Sequence, residues 1–340
     1  MQGQVIQNSG GDSFIVDSLF TKELYTPLTD IPYSAYMLSS VAVGTDIYLL
    51  GGNTSPQNQN YKYDTLNNTY TKMANIPFIF CGGSAVAIGN DIYLLGSNVI
   101  PFNQNYKYNT LTNTYSKMTD IPYQFYNGGT VAIGTDIYIL GGSIGTRNQN
   151  YKYNTLTNTY TKMADIIYGF TAGSEVSIGT DIYLMGGTGD NYGNYKYDTL
   201  NNTYTKMARG LPYIFLEGES VAMGTDIYLL GGSDNTQNQN YKYDSLTDTY
   251  TKMADIPYTF YNASATLVGT DIFLLGSASG SYNKNTKYSP IVKKYYLDKN
   301  TDIFTKSVMG GDVTKITDGY TTKSQGSYSV YGDNPITMYK

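Results

Sequence analysis

Apolar residues fall in short runs broken by glycine, asparagine and threonine turns, and the runs come in sets of four. In one set Ser84–Ile88 is small and apolar, a Gly89-Asn90 turn follows, and Asp91–Leu95 is apolar again. Both runs are apolar at successive positions, the pattern of strands covered on each face rather than of a half-solvated sheet. The other two runs of a set are more polar: residues 60–63 and 69–73 flank a hairpin loop of turn-forming residues at 64–68. Lys72, Lys117, Lys162, Lys206 and Lys252 recur in the fourth run, where a charge discourages pairing with another sheet edge. Each set therefore predicts a four-stranded antiparallel sheet with two buried and two more exposed strands.

The set repeats. A nine-residue phrase close to Gly-Thr-Asp-Ile-Tyr-Leu-Leu-Gly-Gly begins at Gly44, Gly89, Gly134, Gly179, Gly224 and Gly269, 45 residues apart each time. Six copies cover residues 31–306, and radial stacking of such units would cover each sheet by two others. In the fourth copy the Tyr-Lys-Tyr phrase comes one residue early, at Tyr195, and residues 207–212 restore the register; both changes fall in loops.

Two propeller families share this period, and the residues choose between them. One carries Gly-His and Trp-Asp signatures, and this chain has no His and no Trp. Gly51-Gly52 is followed by Tyr63 and Tyr70, with equivalents at Gly141-Gly142, Tyr153 and Tyr160, and at Gly231-Gly232, Tyr243 and Tyr250. This resembles the kelch repeat, a glycine doublet after the second strand and then two spaced aromatics. Tyr stands where that family usually has Trp, and Ser97 and Ser277 replace the second glycine in two copies. The resemblance implies an all-β fold, a six-bladed kelch-type β-propeller with four-stranded antiparallel blades. Ring closure has two candidates: residues 24–28 match a fourth strand ahead of the first unit, while residues 295–298 and 303–306 also read as third and fourth strands. The expected organisation is an N-terminal arm at 1–23, the propeller at 24–306 and a C-terminal tail at 307–340, the tail an anchor or partner-binding arm.

Composition agrees with a single all-β body, since Tyr occurs 38 times, Gly 36 times, and charged residues make up only 14%. A net charge of −5 repels a phosphate backbone, so nucleic acid is not an expected partner. No apolar run approaches the ~20 residues of a membrane-spanning helix, and residues 1–20 lack the pattern of a secretion signal. Synthesis in the cytoplasm without membrane insertion is expected. Cys81 is the only cysteine, so there is no disulfide framework.

The chemical candidates are few. Asp46, Asp91, Asp136, Asp181, Asp226 and Asp271 should form a ring; each would shape a turn, or the six together would attract a cation. Galactose oxidase shares the blade design but needs His ligands for copper, which are absent here. Sialic acid mutarotases are also six-bladed kelch proteins, and such catalysis would need acids and bases converging at the channel mouth. The chain has only Arg147 and Arg209, and its Glu residues are Glu23, Glu175, Glu217 and Glu219. Glu217 stands in an inward loop without an evident basic partner. No catalytic residue, metal or cofactor is therefore expected, and Cys81 reads as a loop filler.

The repeats locate a candidate binding face. The loop leading into each first strand always carries an aromatic, such as Tyr33 and Phe78, and then usually a Phe: Phe80, Phe125, Phe170, Phe215 or Phe260. Immediately afterwards identity collapses, to Tyr36, Cys81, Tyr126, Thr171, Leu216 and Tyr261, then to Met37, Gly82, Asn127, Ala172, Glu217 and Asn262. The position after the glycine doublet varies too: Asn53, Asn98, Ser143, Thr188, Ser233 and Ala278. In kelch proteins these two loops form the ligand face. The expectation is an exposed face with Tyr36, Tyr126 and Tyr261 as anchors, suited to a protein or a cell-surface carbohydrate. Near-identical kelch repeats of this kind resemble proteins encoded near tail genes of Clostridium-type phages. That resemblance implies a virion tail, baseplate or fibre component, working as a homo-oligomer or within a larger assembly. A cytosolic adaptor for protein–protein interaction and a sugar-modifying enzyme are the alternatives.

Overall fold

The computed structural model describes residues 25–290, except 54, 143–146, 234–236, 279 and 281, and outside that span the backbone of a few short strands. The chain divides into two compact units, one of residues 27–287 and one of residues 1–26 with 288–340.

In the larger unit every regular element among the described residues is a strand. The first sheet runs Ser39–Val43, Asp46–Leu50, Asn60–Asp64, Thr69–Lys72 in sequence order, all neighbours antiparallel. Four further sheets repeat that order, beginning at Ser84, Gly129, Ser174 and Glu219. The sixth contains Ser264–Val268, Asp271–Leu275 and Asn285–Tyr288, and its outer strand is Tyr25–Pro27. The fold is a six-bladed β-propeller. Strands Lys293–Leu297 and Ile303–Ser307, the other candidates for closure, pair with each other in a separate sheet between Thr314–Ile316 and Tyr328–Ser329.

Second strands are buried on both faces, as their unbroken apolar runs require: Ile47, Tyr48, Leu49 and Leu50 are all buried. On each third strand a fully buried tyrosine (Tyr63 in the first blade) packs beside the outer-strand tyrosine, with ring centroids 4.7 Å apart for the tilted pair Tyr63 and Tyr70. The Tyr63 hydroxyl donates to Asn68 Oδ1 at 2.8 Å, so the polar tip of a core residue is satisfied. Neighbouring blades are latched by one repeated bond. Asn60 Nδ2 donates to the Tyr115 hydroxyl of the next blade at 2.7 Å, and Asn285 Nδ2 donates to Tyr70 at 2.8 Å, joining the sixth blade to the first.

The glycine doublet has a direct steric cause. Gly51 has φ +68°, and a Cβ there would lie 1.8 Å from the Phe80 carbonyl oxygen of the next blade's lead-in loop. That carbonyl accepts the Gly52 amide at 2.9 Å. Where serine replaces the second glycine, its hydroxyl finds its own partner: Ser97 Oγ donates to the Ile79 carbonyl at 2.8 Å.

The ring of aspartates is neutralised by lysines of the third strands. Lys62 meets Asp46 at 3.1 Å, and the other five equivalents pair at 3.0–3.4 Å. Among the described residues no group of three or more His, Cys, Asp or Glu could hold a metal ion. The edge lysines also have company: Lys72 Nζ lies 4.5 Å from the Tyr61 ring centroid, and Lys117, Lys162 and Lys252 pair with Asp120, Asp165 and Asp255.

Candidate functional site

The two variable loops meet at one end of the propeller, and the backbone explains how. Among the described residues, those after the glycine doublet donate their amides to the lead-in loop: Asn53 to the Tyr36 carbonyl at 2.8 Å, Asn98 to Cys81 at 2.8 Å, Thr188 to Thr171 at 2.9 Å, Ser233 to Leu216 at 2.7 Å and Ala278 to Tyr261 at 3.0 Å. The loop positions singled out in the sequence are therefore adjacent in space within each blade. Ser143 lies outside the described residues.

The expected display of exposed tyrosines needs correction. Tyr36, Tyr126 and Tyr261 are only half-exposed, while their equivalents Cys81 and Thr171 are buried. Different volumes are accommodated because each side chain bonds differently to the loop beside it. The Tyr36 hydroxyl accepts Asn53 Nδ2 at 2.7 Å, Cys81 Sγ accepts Asn98 Nδ2 at 3.3 Å, and Thr171 Oγ1 donates to the Gly142 carbonyl at 2.7 Å. Burial pushes the Cys81 thiol up to about 11, which removes it as a nucleophile near neutral pH.

One residue further on, the fold does something the sequence did not disclose. Met37, Gly82, Asn127, Ala172, Glu217 and Asn262 all have positive φ, between 47° and 61°. Each donates its amide to the carbonyl of its equivalent in the preceding blade, at 2.7–3.2 Å, and Met37 donates to Asn262, so six hydrogen bonds close a circle around the axis. The left-handed conformation costs about 1–2 kcal/mol for a residue with a Cβ, and the circle holds it. Only the backbone is used, which is why residues as unlike as Met, Ala and Glu serve.

This circle rims an axial pocket of about 230 Å³, walled by the first two residues of five of the first strands and by Thr130 of the third blade. Of the candidate face, Met37, Asn127, Glu217 and Asn262 line the pocket; Leu216 stands half-buried one residue back, and Thr188 is exposed. Hydroxyls tie the wall together across blades. The Ala85 amide donates to Ser39 Oγ at 3.0 Å, the Ser40 amide to Ser264 Oγ at 3.0 Å and the Ser220 amide to Ser174 Oγ at 2.8 Å. The first residue of one blade thus serves the second residue of the next.

Two carboxyls break the pattern. The third blade has Gly129 where a serine would stand, and Glu175 of the fourth blade fills the gap: a Cβ on Gly129 would lie 1.8 Å from Glu175 Oε2. Glu175 Oε1 accepts the Thr130 amide at 2.8 Å. Glu219 occupies the serine position of the fifth blade, and among the described residues no side-chain hydrogen bond or ion pair ties it down. Desolvation raises Glu175 well above the usual carboxylate range, helped by the charge of Glu219, and desolvation raises Glu219 to about 8. Neither residue belonged to the expected face. The signal was available in the repeats: Glu175 and Glu219 interrupt strand positions that Ser, Ala, Thr or Gly fill elsewhere, and Gly129 stands where most copies have serine.

Three stretches of the chain, residues 34–77, 124–166 and 218–257, match the Kelch motif. They run from the lead-in loop to the outer strand of the first, third and fifth blades, and they support a place in a kelch-repeat family. No curated protein matches the chain. A solved structure described as "Structure of YjhT" is similar, with 13% identity and a TM-score of 0.66 over 85% of this chain and 99% of that one. At that identity the likeness speaks for the fold alone.

Proposed function

We propose that the chain is a non-catalytic binding propeller whose ligand, a cell-surface carbohydrate, enters the axial pocket, and that it serves in a virion tail, baseplate or fibre. The pocket carries this reading. It is walled by hydroxyls, carboxyls and backbone groups at the one end where near-identical repeats cease to be identical, and a polar, concave wall suits a polyhydroxylated ligand better than a flat protein surface. The virion setting comes from the sequence resemblance and is checked by searching purified particles for peptides of the chain. For the pocket, saturation-transfer NMR against a panel of monosaccharides should give binding that Ala172→Met weakens. Methionine already stands at the equivalent Met37, so the circle should still close while the mouth narrows. Unchanged binding would move the ligand elsewhere.

One observation favours a second reading, a sugar-modifying enzyme: desolvation strengthens the hold of Glu175 and Glu219 on a proton, and such carboxyls inside a pocket can act as general acids. A sugar acid suits this lining poorly, because no Lys or Arg stands among the described lining residues to meet its carboxylate. Accelerated anomer exchange of a bound monosaccharide, abolished by Glu219→Gln, would favour the enzyme.

A further inference from the structure

The pocket is lopsided. Its titratable lining residues are Glu175, Glu217 and Glu219, all from the fourth and fifth blades or the loop between them, and the remaining lining is neutral. The elements packed against these three bring no compensating charge. The first strands of the third and sixth blades offer Gly129, Thr130, Ser264 and Ala265, and Glu219 pairs in register with Leu230 of its own second strand. The nearest aspartate on that strand, Asp226, stands four residues away beside Met223 and is held by Lys242 at 3.0 Å.

Glu175 is built into this place. Gly129 leaves the space its carboxyl fills, and the Thr130 amide fixes Oε1. Glu219, by contrast, has no side-chain partner among the described residues while lining the cavity. A carboxyl in a desolvated pocket without a counter-charge is unfavourable unless it is protonated or a cation arrives. The cavity is too large for a bare ion held by two carboxyls, and its other walls include the hydroxyls of Ser39, Ser84, Thr130, Ser174 and Ser264.

Resting on the carbohydrate reading above, we infer that the axial pocket selects a sugar bearing a free amine, whose ammonium group sits between Glu175 and Glu219 while its hydroxyls meet the serine and threonine wall. A charge-assisted hydrogen bond is about twice as strong as a neutral one, so the amine should be worth tenfold or more in affinity.

The test uses the full chain and three probes that differ in one substituent: glucosamine, N-acetylglucosamine and glucose, titrated calorimetrically near neutral pH at low salt. Glucosamine should bind at least tenfold more tightly than either neutral sugar, and the Glu175→Gln/Glu219→Gln variant should bind glucosamine no more tightly than glucose. Equal affinities for all three would overturn the amine assignment and leave the carbohydrate reading standing. Binding of none would remove both. Nα-acetyl-lysine amide binding as tightly as glucosamine would make the pocket a receptor for a protein lysine and overturn the sugar assignment. The wild-type comparison decides the matter even if the double variant fails to fold.

Discussion

Glu219→Gln should stabilise the propeller in a way that grows with pH. Desolvation raises this carboxyl from its ordinary 4.5 to about 8, so the folded chain keeps a proton that the unfolded chain releases. A raised acid contributes fully below the unfolded value and loses its contribution as pH rises towards the folded one. Wild-type stability should therefore fall between about pH 4.5 and pH 8 through this group. At 1.36 kcal/mol per pH unit the ceiling is about 5 kcal/mol. Because the side chain lines a pocket that water can enter, solvent screening should reduce this to roughly 1–2 kcal/mol. Glutamine keeps the shape and does not ionise, so the difference between variant and wild type should be near its minimum at pH 4.5 and larger by that amount at pH 8. Urea unfolding of both proteins at several pH values measures it. Parallel stability curves would show that Glu219 ionises freely in the folded state, and the account of the pocket as a desolvated site would fall.

Gly51→Ala should destabilise by about 2–4 kcal/mol, because it combines a left-handed φ with a collision against the Phe80 carbonyl. Gly44→Ala, at φ +63° but facing open space, should cost only about 1 kcal/mol; equal losses in thermal unfolding would refute the steric reason for the doublet. Asn285→Ala removes the latch to Tyr70 and should cost about 1–3 kcal/mol by leaving a buried seam unbonded, with chemical denaturation as the check. Deleting residues 1–28 removes the outer strand of the sixth sheet and should lower the melting temperature and promote association through the open edge. An unchanged melting curve would mean that the ring holds without it.

The blades were legible because period and polarity coincide: two doubly covered strands followed by two polar ones, six times at 45 residues. The glycine doublet was legible as a motif, and its cause appeared only with the Phe80 carbonyl in place. Closure was ambiguous because residues 24–28 and 295–306 both read as strands, and local pattern cannot say which segment reaches the sixth blade. The burial of the loop positions was hidden for a related reason. Variation between copies does not require exposure, because Tyr36, Cys81 and Thr171 each find a different hydrogen bond in the neighbouring loop. The circle of left-handed residues left no trace beyond Gly82, Asn127 and Asn262, residue types that tolerate positive φ.

Sixfold repetition builds a sixfold channel, and such a channel offers every direction the same contacts. A small ligand with distinct ends can be oriented there only where the symmetry is broken. The serine wall is broken most sharply at two neighbouring blades. Glu219 takes a serine's place outright, whereas Glu175 fits only because Gly129 has given up its side chain 46 residues earlier in the chain. A lone Glu175 in an otherwise regular wall would collide with a serine at 129, and a lone Gly129 would leave the next blade's amide without the hydroxyl that Ser39, Ser174 and Ser264 supply elsewhere. The two departures are compatible only together. Restoring the consensus on one side, by Gly129→Ser, should therefore expel the Glu175 carboxyl from the seam and destabilise the chain by about 1–3 kcal/mol. Gly129→Ser combined with Glu175→Ser should recover most of that loss, because it rebuilds the ordinary serine contact. A double variant no more stable than the single one, measured by urea unfolding, would show that the two positions are independent and that the asymmetry of the pocket is not a matched pair.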